Sequence, residues 1–392
     1  MPIRILGMKR LLSIVIKIFI AVVSLPLLLY IFLIIANFSD EVKSDKVIEF
    51  ESFLAKRSVI DDKSNGFVYA VGLSAPPEKD FYLVGVERIK QANKMAPLSN
   101  AIINNQGYLN IAKIKQQFEK IVVGCGKTIE LNANCKTYLL EQIQTIDHLL
   151  AESELLIQRY KIMISRNGWY ESVQGTPYNI LNLSQWDTGH KIYMLHIWRE
   201  AVKDNAKYVT QMLQQDSHFW RNTMLSTHSL LHFSTSVAMI EQNYRWGLFA
   251  LNHLSNNDKF QTIPSDWHRS HMKPIFSFNK IVIGEWQFAR FLFEEINDHD
   301  EWFAFLIKPI FNMQNTLNLH ARMLQENSRL DNNTENALIT SQCHKGLIFS
   351  MLHWYSYNPI GKLLVCSASP SFNTYQKKIV ELEKERLTRV LQ

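Results

Sequence analysis

The sequence predicts a mainly α-helical (all-α) protein, with an N-terminal transmembrane helix followed by an irregular multi-helix, solenoid-like domain. Three observations predict this class. Residues 18–37 contain no charged side chain, and a helix of that length spans the roughly 30 Å of a bilayer's hydrocarbon core. The 392 residues include only 14 glycines and 11 prolines, fewer than a turn-rich β protein needs. Beyond residue 107, apolar side chains recur every three or four positions, the period of an amphipathic helix.

The apolar segment 11–37 is predicted to be a permanent membrane anchor. It lacks the polar stripe of a soluble core helix. It is also longer than the apolar region of a cleaved signal peptide, and no small-x-small cleavage site follows it. Four Lys and Arg residues precede the uncharged run, whereas Asp40 and Glu41 follow it. By the positive-inside rule, residues 1–10 form a cytoplasmic tail, and the chain from residue 38 lies outside the inner membrane, in the periplasm of a bacterium.

The charge balance argues against a nucleic-acid partner. The chain carries a net charge of +6, but four of its 42 Lys and Arg residues and none of its 36 Asp and Glu residues lie in the anchor region. The exported part is therefore nearly neutral, and no basic patch stands out along it. The inner membrane, contacted through residues 11–37, is the one partner that the sequence identifies directly.

The four cysteines are predicted to form two disulfides. All of them lie in the exported part, where an oxidising compartment favours bond formation. Cys125 and Cys135 bracket a short polar loop and are the favoured pair. Closing such a loop contributes about 3 kcal/mol in the chain-entropy model. Cys343 and Cys366 are the second pair, which joins two separate segments; separate buried thiols are the alternative.

The exported part is predicted to begin with a helical stalk at residues 38–63, whose apolar side comprises Val47, Phe50 and Leu54. An N-terminal helical subdomain (64–166) and a C-terminal helical subdomain (167–392) follow. The apolar stretch at the start of the first subdomain suits a short strand or a buried helix equally well. Asp216 or Ser217 is placed to cap one long helix that extends toward residue 254. The remaining predicted helices lie at 108–121, 137–166, 190–214, 280–297, 300–325, 336–355 and 374–392.

Two histidine pairs have the spacing of metal ligands. His228 and His232 stand four apart, which would place both imidazoles on one face of a helix. A zinc protease needs Glu in the second position of this motif, and Ser229 stands there instead. His268 and His271 lie near Asp266 in a predicted loop. Packed or surface histidines without a metal are the competing interpretation of both pairs, and no cofactor is predicted.

Glu285 is the candidate acid–base residue. Its neighbours in the sequence are Ile283, Trp286 and Phe288, so we expect the carboxylate to be partly buried, where it must find a partner or change its pKa. Pairing with an arginine such as Arg290 is the structural alternative and the favoured one.

Four tryptophans are candidate anchors for a protein partner, since exposed indoles often carry binding energy at interfaces. Core packing is the favoured alternative for each of them. The four residues are Trp198, Trp220, Trp246 and Trp286.

Several stretches resemble a family of bacterial membrane-tethered, mainly helical periplasmic proteins that carry no assigned function. They are NGFVYAVGLSAP (65–76), DSHFWRNTMLSTHSLL (216–231), IGEWQFARF (283–291) and YNPIGKLLVCSASPSFNTYQKKI (357–379). The resemblance implies a helical fold and a single membrane span, but no activity.

We therefore expect a membrane-anchored periplasmic protein that works by binding another protein, because helical arrays build concave binding grooves. An adaptor of an envelope assembly and a tethered immunity or inhibitor protein are equally compatible with the sequence. The alternatives are a periplasmic hydrolase, with or without a metal at the paired histidines, and a binder of lipid or envelope polymer.

Overall fold

The computed structural model describes residues 3–94, 108–126, 131–172, 183–254, 263–270, 278–298, 304–328, 343, 356–368 and 372–390. Every regular element within these residues is helical, which confirms the predicted all-α class. Short 3₁₀ turns occupy Asp62–Ser64, Val123–Cys125, Ser265–His268 and Lys308–Ile310, and one turn of π-helix occupies Arg386–Val390. The α-helices are α1 (Ile3–Ala36), α2 (Asp45–Ala55), α3 (Gly66–Gly72), α4 (Phe81–Lys94), α5 (Ile111–Val122), α6 (Ala133–Glu141), α7 (Ile143–Glu152), α8 (Glu154–Ile164), α9 (Leu183–Val202), α10 (Ala206–Ser226), α11 (Leu230–Leu251), α12 (Phe278–Asp298), α13 (Ala304–Ile307), α14 (Met313–Ser328), α15 (Pro359–Ser367) and α16 (Phe372–Glu385).

The chain forms two compact units. The first, here called the anchor unit, comprises residues 1–53 and 293–370; the second, the core unit, comprises residues 54–292 and 371–392. This division differs from the predicted boundary between residues 166 and 167. The prediction assumed contiguous segments, whereas each unit joins segments that are far apart in the sequence.

Helix α1 of the anchor unit is long and apolar enough to cross a membrane. Its Val15–Ala36 window has a mean hydropathy of 3.0, and none of it is buried inside the protein. Leu25 is 71% exposed and Ile35 is 70% exposed. A soluble helix would bury such side chains, because each one costs free energy in water. The helix therefore fits the predicted anchor and also fits an export signal.

The predicted stalk at 38–63 is not one helix, because residues 39–44 make polar contacts within the anchor unit. The Asp40 carboxylate accepts hydrogen bonds from the main-chain nitrogens of Gln314 (2.6 Å) and Asn315 (2.9 Å), and thus caps the first turn of α14. Helix α2 then begins only at Asp45. Its residues Val47 and Phe50 are buried, as a packed helix requires.

The core unit is built on three long helices, α9, α10 and α11, which pack against one another. The short α3 contacts α4 and α8 and is buried along its whole length, so the apolar stretch at 66–72 is a buried helix and not a strand. Helices α3 and α4 approach closely through glycines. A Cβ on Gly72 would stand 1.8 Å from the carbonyl oxygen of Phe81, and one on Gly85 would stand 2.0 Å from that of Val68.

The predicted helices at 190–214 and 217–254 are wrong in their bounds, since the chain there forms α9, α10 and α11. The first break contains Asp204, which has a φ of 59°. At the second break, the backbone of Thr227 is extended, with φ −62° and ψ 149°. Asp216 caps no helix: it is buried inside α10, where Tyr160 (2.7 Å), His190 (3.1 Å) and Asn243 (2.9 Å) are its hydrogen-bond partners.

Helices elsewhere follow the predictions with local breaks. The predicted segment 137–166 forms α6, α7 and α8, and the segment 300–325 is interrupted at Pro309 between α13 and α14. The helix predicted at 336–355 lies outside the described residues, apart from residue 343.

Both predicted disulfides are present. Cys125 and Cys135 are joined with a Cα–Cα distance of 4.5 Å, and Cys343 and Cys366 with one of 5.6 Å. The first bond lies in the core unit and the second in the anchor unit. Each unit therefore carries its own covalent cross-link, which fits folding in an oxidising compartment.

Candidate functional site

The four candidate partner-binding tryptophans are core residues. Trp198, Trp220 and Trp286 have no exposed surface, and Trp246 is 4% exposed. An indole in the core presents no surface to a partner, so these four residues have the core packing that the sequence analysis favoured over the candidate binding role. The sequence could not separate the two, because interface and core positions both favour large aromatic side chains.

His228 and His232 do not share a helical face. Helix α11 begins at Leu230, and Ser229 before it is extended, with φ −102° and ψ 130°. His228 therefore lies in the break between α10 and α11, while His232 lies in the first turn of α11. At this break, the buried carboxylate of Glu171 accepts a hydrogen bond from the main-chain nitrogen of His228 at 3.3 Å.

Glu171 is the centre of a buried polar cluster that the sequence did not reveal. Its side chain is 10% exposed. It accepts five hydrogen bonds, whose donors are Nη2 of Arg57 (2.9 Å), Nε1 of Trp169 (2.8 Å), Nδ1 of His232 (3.1 Å), the main-chain nitrogen of His228 (3.3 Å) and the hydroxyl of Thr227. A buried carboxylate needs this many donors to offset its lost hydration.

Asn65 places Glu171 in the cluster. Residue 65 forms an isolated parallel bridge with Gly168 just before α3. Its side-chain oxygen accepts from the main-chain nitrogen of Tyr170 at 3.0 Å, and its side-chain nitrogen donates to the carbonyl of Tyr170 at 2.8 Å. The segment that carries Trp169 and Glu171 is thereby held against the start of α3, although it has no regular structure.

The cluster shifts the pKa values of Glu171 and His228. Burial alone raises the pKa of Glu171, but hydrogen bonds from His232 and Thr227 and the charge of Arg57 outweigh burial and hold this pKa well below its usual range. Burial and the nearby Arg57 lower the pKa of His228 to about 4, so its imidazole is neutral at pH 7. Glu171 is therefore the anion of the cluster, and Arg57 is its permanent cation.

His232 has the environment of an oriented imidazole. Its Nδ1 faces the Glu171 carboxylate, so this nitrogen carries a proton. Its ring contacts those of Phe67, Trp169 and Trp186, with centroids 5.4–5.7 Å apart. Its Nε2 is buried and has no hydrogen-bond partner among the described residues. A carboxylate–imidazole pair of this kind can position a general base, but His232 is only 2% exposed.

Glu285 lies in α12 on the other side of the same break. Its partner is the start of helix α11 and not Arg290. The Oε1 atom of Glu285 accepts a hydrogen bond, at 2.8 Å, from the main-chain nitrogen of Leu230, which is the first residue of α11. Burial raises the pKa of Glu285 to about 7, an effect that the hydrogen bond from Leu230 partly opposes. Gly284 permits this approach, since a Cβ there would stand 1.9 Å from the carbonyl oxygen of His228.

Only one member of the second histidine pair lies among the described residues. His268 is exposed at the end of a 3₁₀ turn, and His271 lies outside the described residues. The neighbouring Asp266 is buried and faces Nδ1 of His218 (2.9 Å) and Nη1 of Arg269 (3.0 Å). Across the described ranges, no group of three or more His, Cys, Asp or Glu side chains is arranged to hold a metal ion.

A second polar cluster, in the anchor unit, lies where α1 ends. Asn37 is 5% exposed. Its side-chain nitrogen donates to the carbonyl of Ser356 at 3.0 Å. Its side-chain oxygen accepts from the main-chain nitrogen of Asn358 and, at 3.3 Å, from Nδ2 of Asn312. We call Asn37, Asn312 and Asn358 the asparagine clamp; it connects the end of α1 to the starts of α14 and α15.

Asn358 is the hub of the clamp. It has a φ of 49°, a conformation that Asn tolerates better than most residues. Its Oδ1 accepts from the main-chain nitrogens of Asn312 (3.0 Å) and Gly361 (3.1 Å), which caps α15. Its Nδ2 reaches Asn315 (2.7 Å) and Thr316 (2.8 Å) in α14. The Asn358 side chain alone thus forms hydrogen bonds with groups at the starts of both α14 and α15.

Comparisons with protein-family models, with curated proteins and with solved structures gave no match at the level of significance required. The family resemblance noted from the sequence therefore remains an expectation. The case for a function rests on the clusters and surfaces described above.

Proposed function

We propose that the chain is a single-pass protein of the bacterial inner membrane, with its short N-terminus in the cytoplasm and both helical units in the periplasm, where it acts as an adaptor by binding another envelope protein. The exposed apolar surface of α1 and the cations before it support the anchor and its orientation. The two disulfides support the oxidising side of the membrane.

The asparagine clamp is the observation that carries the adaptor role. A protein that only needs to stay near the membrane can be attached to its membrane helix through a flexible linker. Here, instead, the residue directly after α1 is buried and hydrogen-bonded to segments that begin 275 and 321 positions later. The Asp40 carboxylate adds two hydrogen bonds to the start of α14.

A fixed junction gives the anchor unit one orientation relative to the bilayer. Such preorganisation lowers the entropic cost of binding a partner that is itself held in the membrane. It brings less benefit to an inhibitor that must meet a soluble toxin arriving from any direction. For this reason we prefer an adaptor of an envelope assembly to a tethered immunity protein.

The proposal is tested by crosslinking the full chain in living cells, solubilising the membranes, capturing the chain through a tag and identifying what accompanies it by mass spectrometry. One dominant membrane-associated partner is the expected result. A soluble toxin as the dominant partner would favour the immunity role. Repeated recovery of the chain alone would contradict protein binding and turn attention to the Glu171–His232 pair as an acid–base site.

A further inference from the structure

The side chain of Tyr30 connects the candidate membrane span to a second apolar segment of the anchor unit. Its hydroxyl donates to the carbonyl oxygen of Leu306 at 3.0 Å and lies 3.5 Å from that of Phe305. Tyr30 lies within the Val15–Ala36 window. It precedes the end of α1 by six residues, which is about 9 Å along a helix. The contact therefore lies below the level at which α1 ends.

The chain between these levels runs alongside α1. Asn312 contacts Asn37 just beyond the end of the helix, at 3.3 Å. Going backward in the sequence, the 3₁₀ turn Lys308–Ile310 contacts α1, and α13 reaches the level of Tyr30. Residues 304–311 therefore run beside α1, from the asparagine clamp back toward the level of Tyr30 in the candidate membrane span.

Helix α13 presents apolar side chains outward at this level. Phe305 is 67% exposed and Leu306 is 41% exposed. In water this exposure is unfavourable, whereas in a bilayer it is favourable. On α1 near the level of Tyr30, Leu29 is 51% exposed and Phe32 is 54% exposed, so both helices present apolar side chains outward at this depth.

We propose, on the assumption that α1 spans the membrane as in the proposed function, that α13 inserts Phe305 and Leu306 into the outer leaflet and forms a second, monotopic membrane contact. Three features fit a lipid surface as the occupant. The Tyr30 hydroxyl satisfies a carbonyl of the α13 end, which an apolar environment demands. Tyr30 is a residue type that gathers at membrane interfaces. Lys308 directly follows the apolar residues, where its long stem allows the ammonium group to reach lipid phosphates.

An open groove of about 430 Å³ lies beside this contact and fits the same occupant. Its lining combines the apolar side chains of Ile34, Phe38, Phe311 and Met313 with the charged groups of Lys308 and Asp40; the Asp40 carboxylate already accepts two hydrogen bonds from the start of α14. Lipid molecules present acyl carbons and phosphate oxygens together at this depth. The groove therefore extends the α13 contact toward the headgroup region.

The test uses the full chain in vesicles of phosphatidylethanolamine and phosphatidylglycerol, with the photo-reactive residue benzoylphenylalanine at one position at a time. Three positions are compared: Leu25 in α1, Phe305 in α13, and Val59 in the core unit, which is 77% exposed and belongs to no proposed membrane contact. After illumination, mass spectrometry of the peptides measures the fraction that carries a lipid adduct.

We expect adducts at positions 25 and 305, and at least a tenfold lower yield at position 59. Adducts at 25 without adducts at 305 would overturn the monotopic contact and leave the anchor intact. Adducts at neither position would overturn the anchor itself, and with it the proposed function. Equal yields at all three positions would also overturn the inference, because position 305 would then contact lipid no more than an exposed position of the core unit does.

Discussion

Asn37 accepts a hydrogen bond from the main-chain nitrogen of Asn358, which lies 321 positions further along the chain. Through this bond the end of the apolar helix α1 is joined to the folded part of the anchor unit. Asn312 donates to the same side-chain oxygen at 3.3 Å. The junction between α1 and the rest of the anchor unit is thus built from buried side-chain hydrogen bonds rather than from a linker, and its strength can be measured.

Replacing the clamp hub should weaken the anchor unit. Asn358→Ala removes the cap of α15, the bonds to α14 and a residue type that tolerates φ 49°. We expect a loss of about 2–4 kcal/mol in the free energy of unfolding, together with faster hydrogen exchange in α14 and α15. Asn134→Ala, at an exposed position of α6, serves as the control and should change stability by less than about 0.5 kcal/mol. Equal behaviour of the two variants would contradict the role of the clamp.

Gly284→Ala should disturb the break between α10 and α11. The added methyl group would meet the carbonyl oxygen of His228 at 1.9 Å, so α12 must shift and the bond between Glu285 and Leu230 must lengthen. Overpacking of this kind costs about 1–3 kcal/mol. Chemical denaturation followed by tryptophan fluorescence measures the loss. The matched change on the exposed face of the same helix, Asn279→Ala, is expected to be nearly neutral, and a similar loss there would refute the explanation.

The raised pKa of Glu285 makes stability depend on pH. Its pKa is about 7 in the folded protein, whereas the unfolded chain keeps the ordinary value of 4.5 for a glutamate. Between these values the folded protein holds a proton that the unfolded chain has released, so the free energy of unfolding falls as the pH rises from 4.5 to 7 and stays low above 7. Glu285→Gln should remove this contribution.

The pH dependence is measured as the difference between wild type and Glu285→Gln in denaturation curves at about pH 4.5 and pH 8, on either side of the two pKa values. As the pH rises, the free energy of unfolding of the variant should increase relative to that of the wild type, by an amount on the order of 3 kcal/mol at most. The glutamine oxygen still accepts from Leu230, so the hydrogen bond is kept. A difference that is constant across this range would show that folding does not raise the pKa of Glu285.

Removing the Tyr30 hydroxyl should weaken the attachment of α13 to α1 and leave the lipid contact of α1 unchanged. Tyr30→Phe keeps the aromatic ring and deletes the hydrogen bond to Leu306, which is worth about 1 kcal/mol. We expect the yield of lipid adducts at position 305 to change several-fold and the yield at position 25 to stay the same. An unchanged yield at both positions would mean that the bond does not position α13.

Much of the architecture could be predicted from local sequence patterns. The uncharged run at 18–37 predicts α1, because a membrane helix has a composition of its own. The short polar loop between Cys125 and Cys135 predicts the first disulfide. Apolar residues at helical spacing predict most helices, but not the breaks at Asp204 and Thr227.

The polar clusters could not be predicted, because they depend on contacts between distant segments. Glu171 lies in a segment without regular structure and reaches Arg57, Thr227 and His232 only after folding. The same holds for Asn37 and Asn358. Buried tryptophans were indistinguishable from interface anchors for a related reason: burial is a property of the whole fold and not of the residue.

The most direct test of the fixed junction compares partner capture by two insertion variants of the full chain. Ten Gly and Ser residues between Ala36 and Asn37 separate α1 from the rest of the anchor unit while leaving the bonds of Asn37 intact. The control carries the same insertion after Gly7, in the proposed cytoplasmic tail. We predict that the control captures the same dominant partner as the wild type and that the junction variant captures it at least several-fold less. Equal capture by both variants would contradict the claim that the clamp orients the protein for its partner.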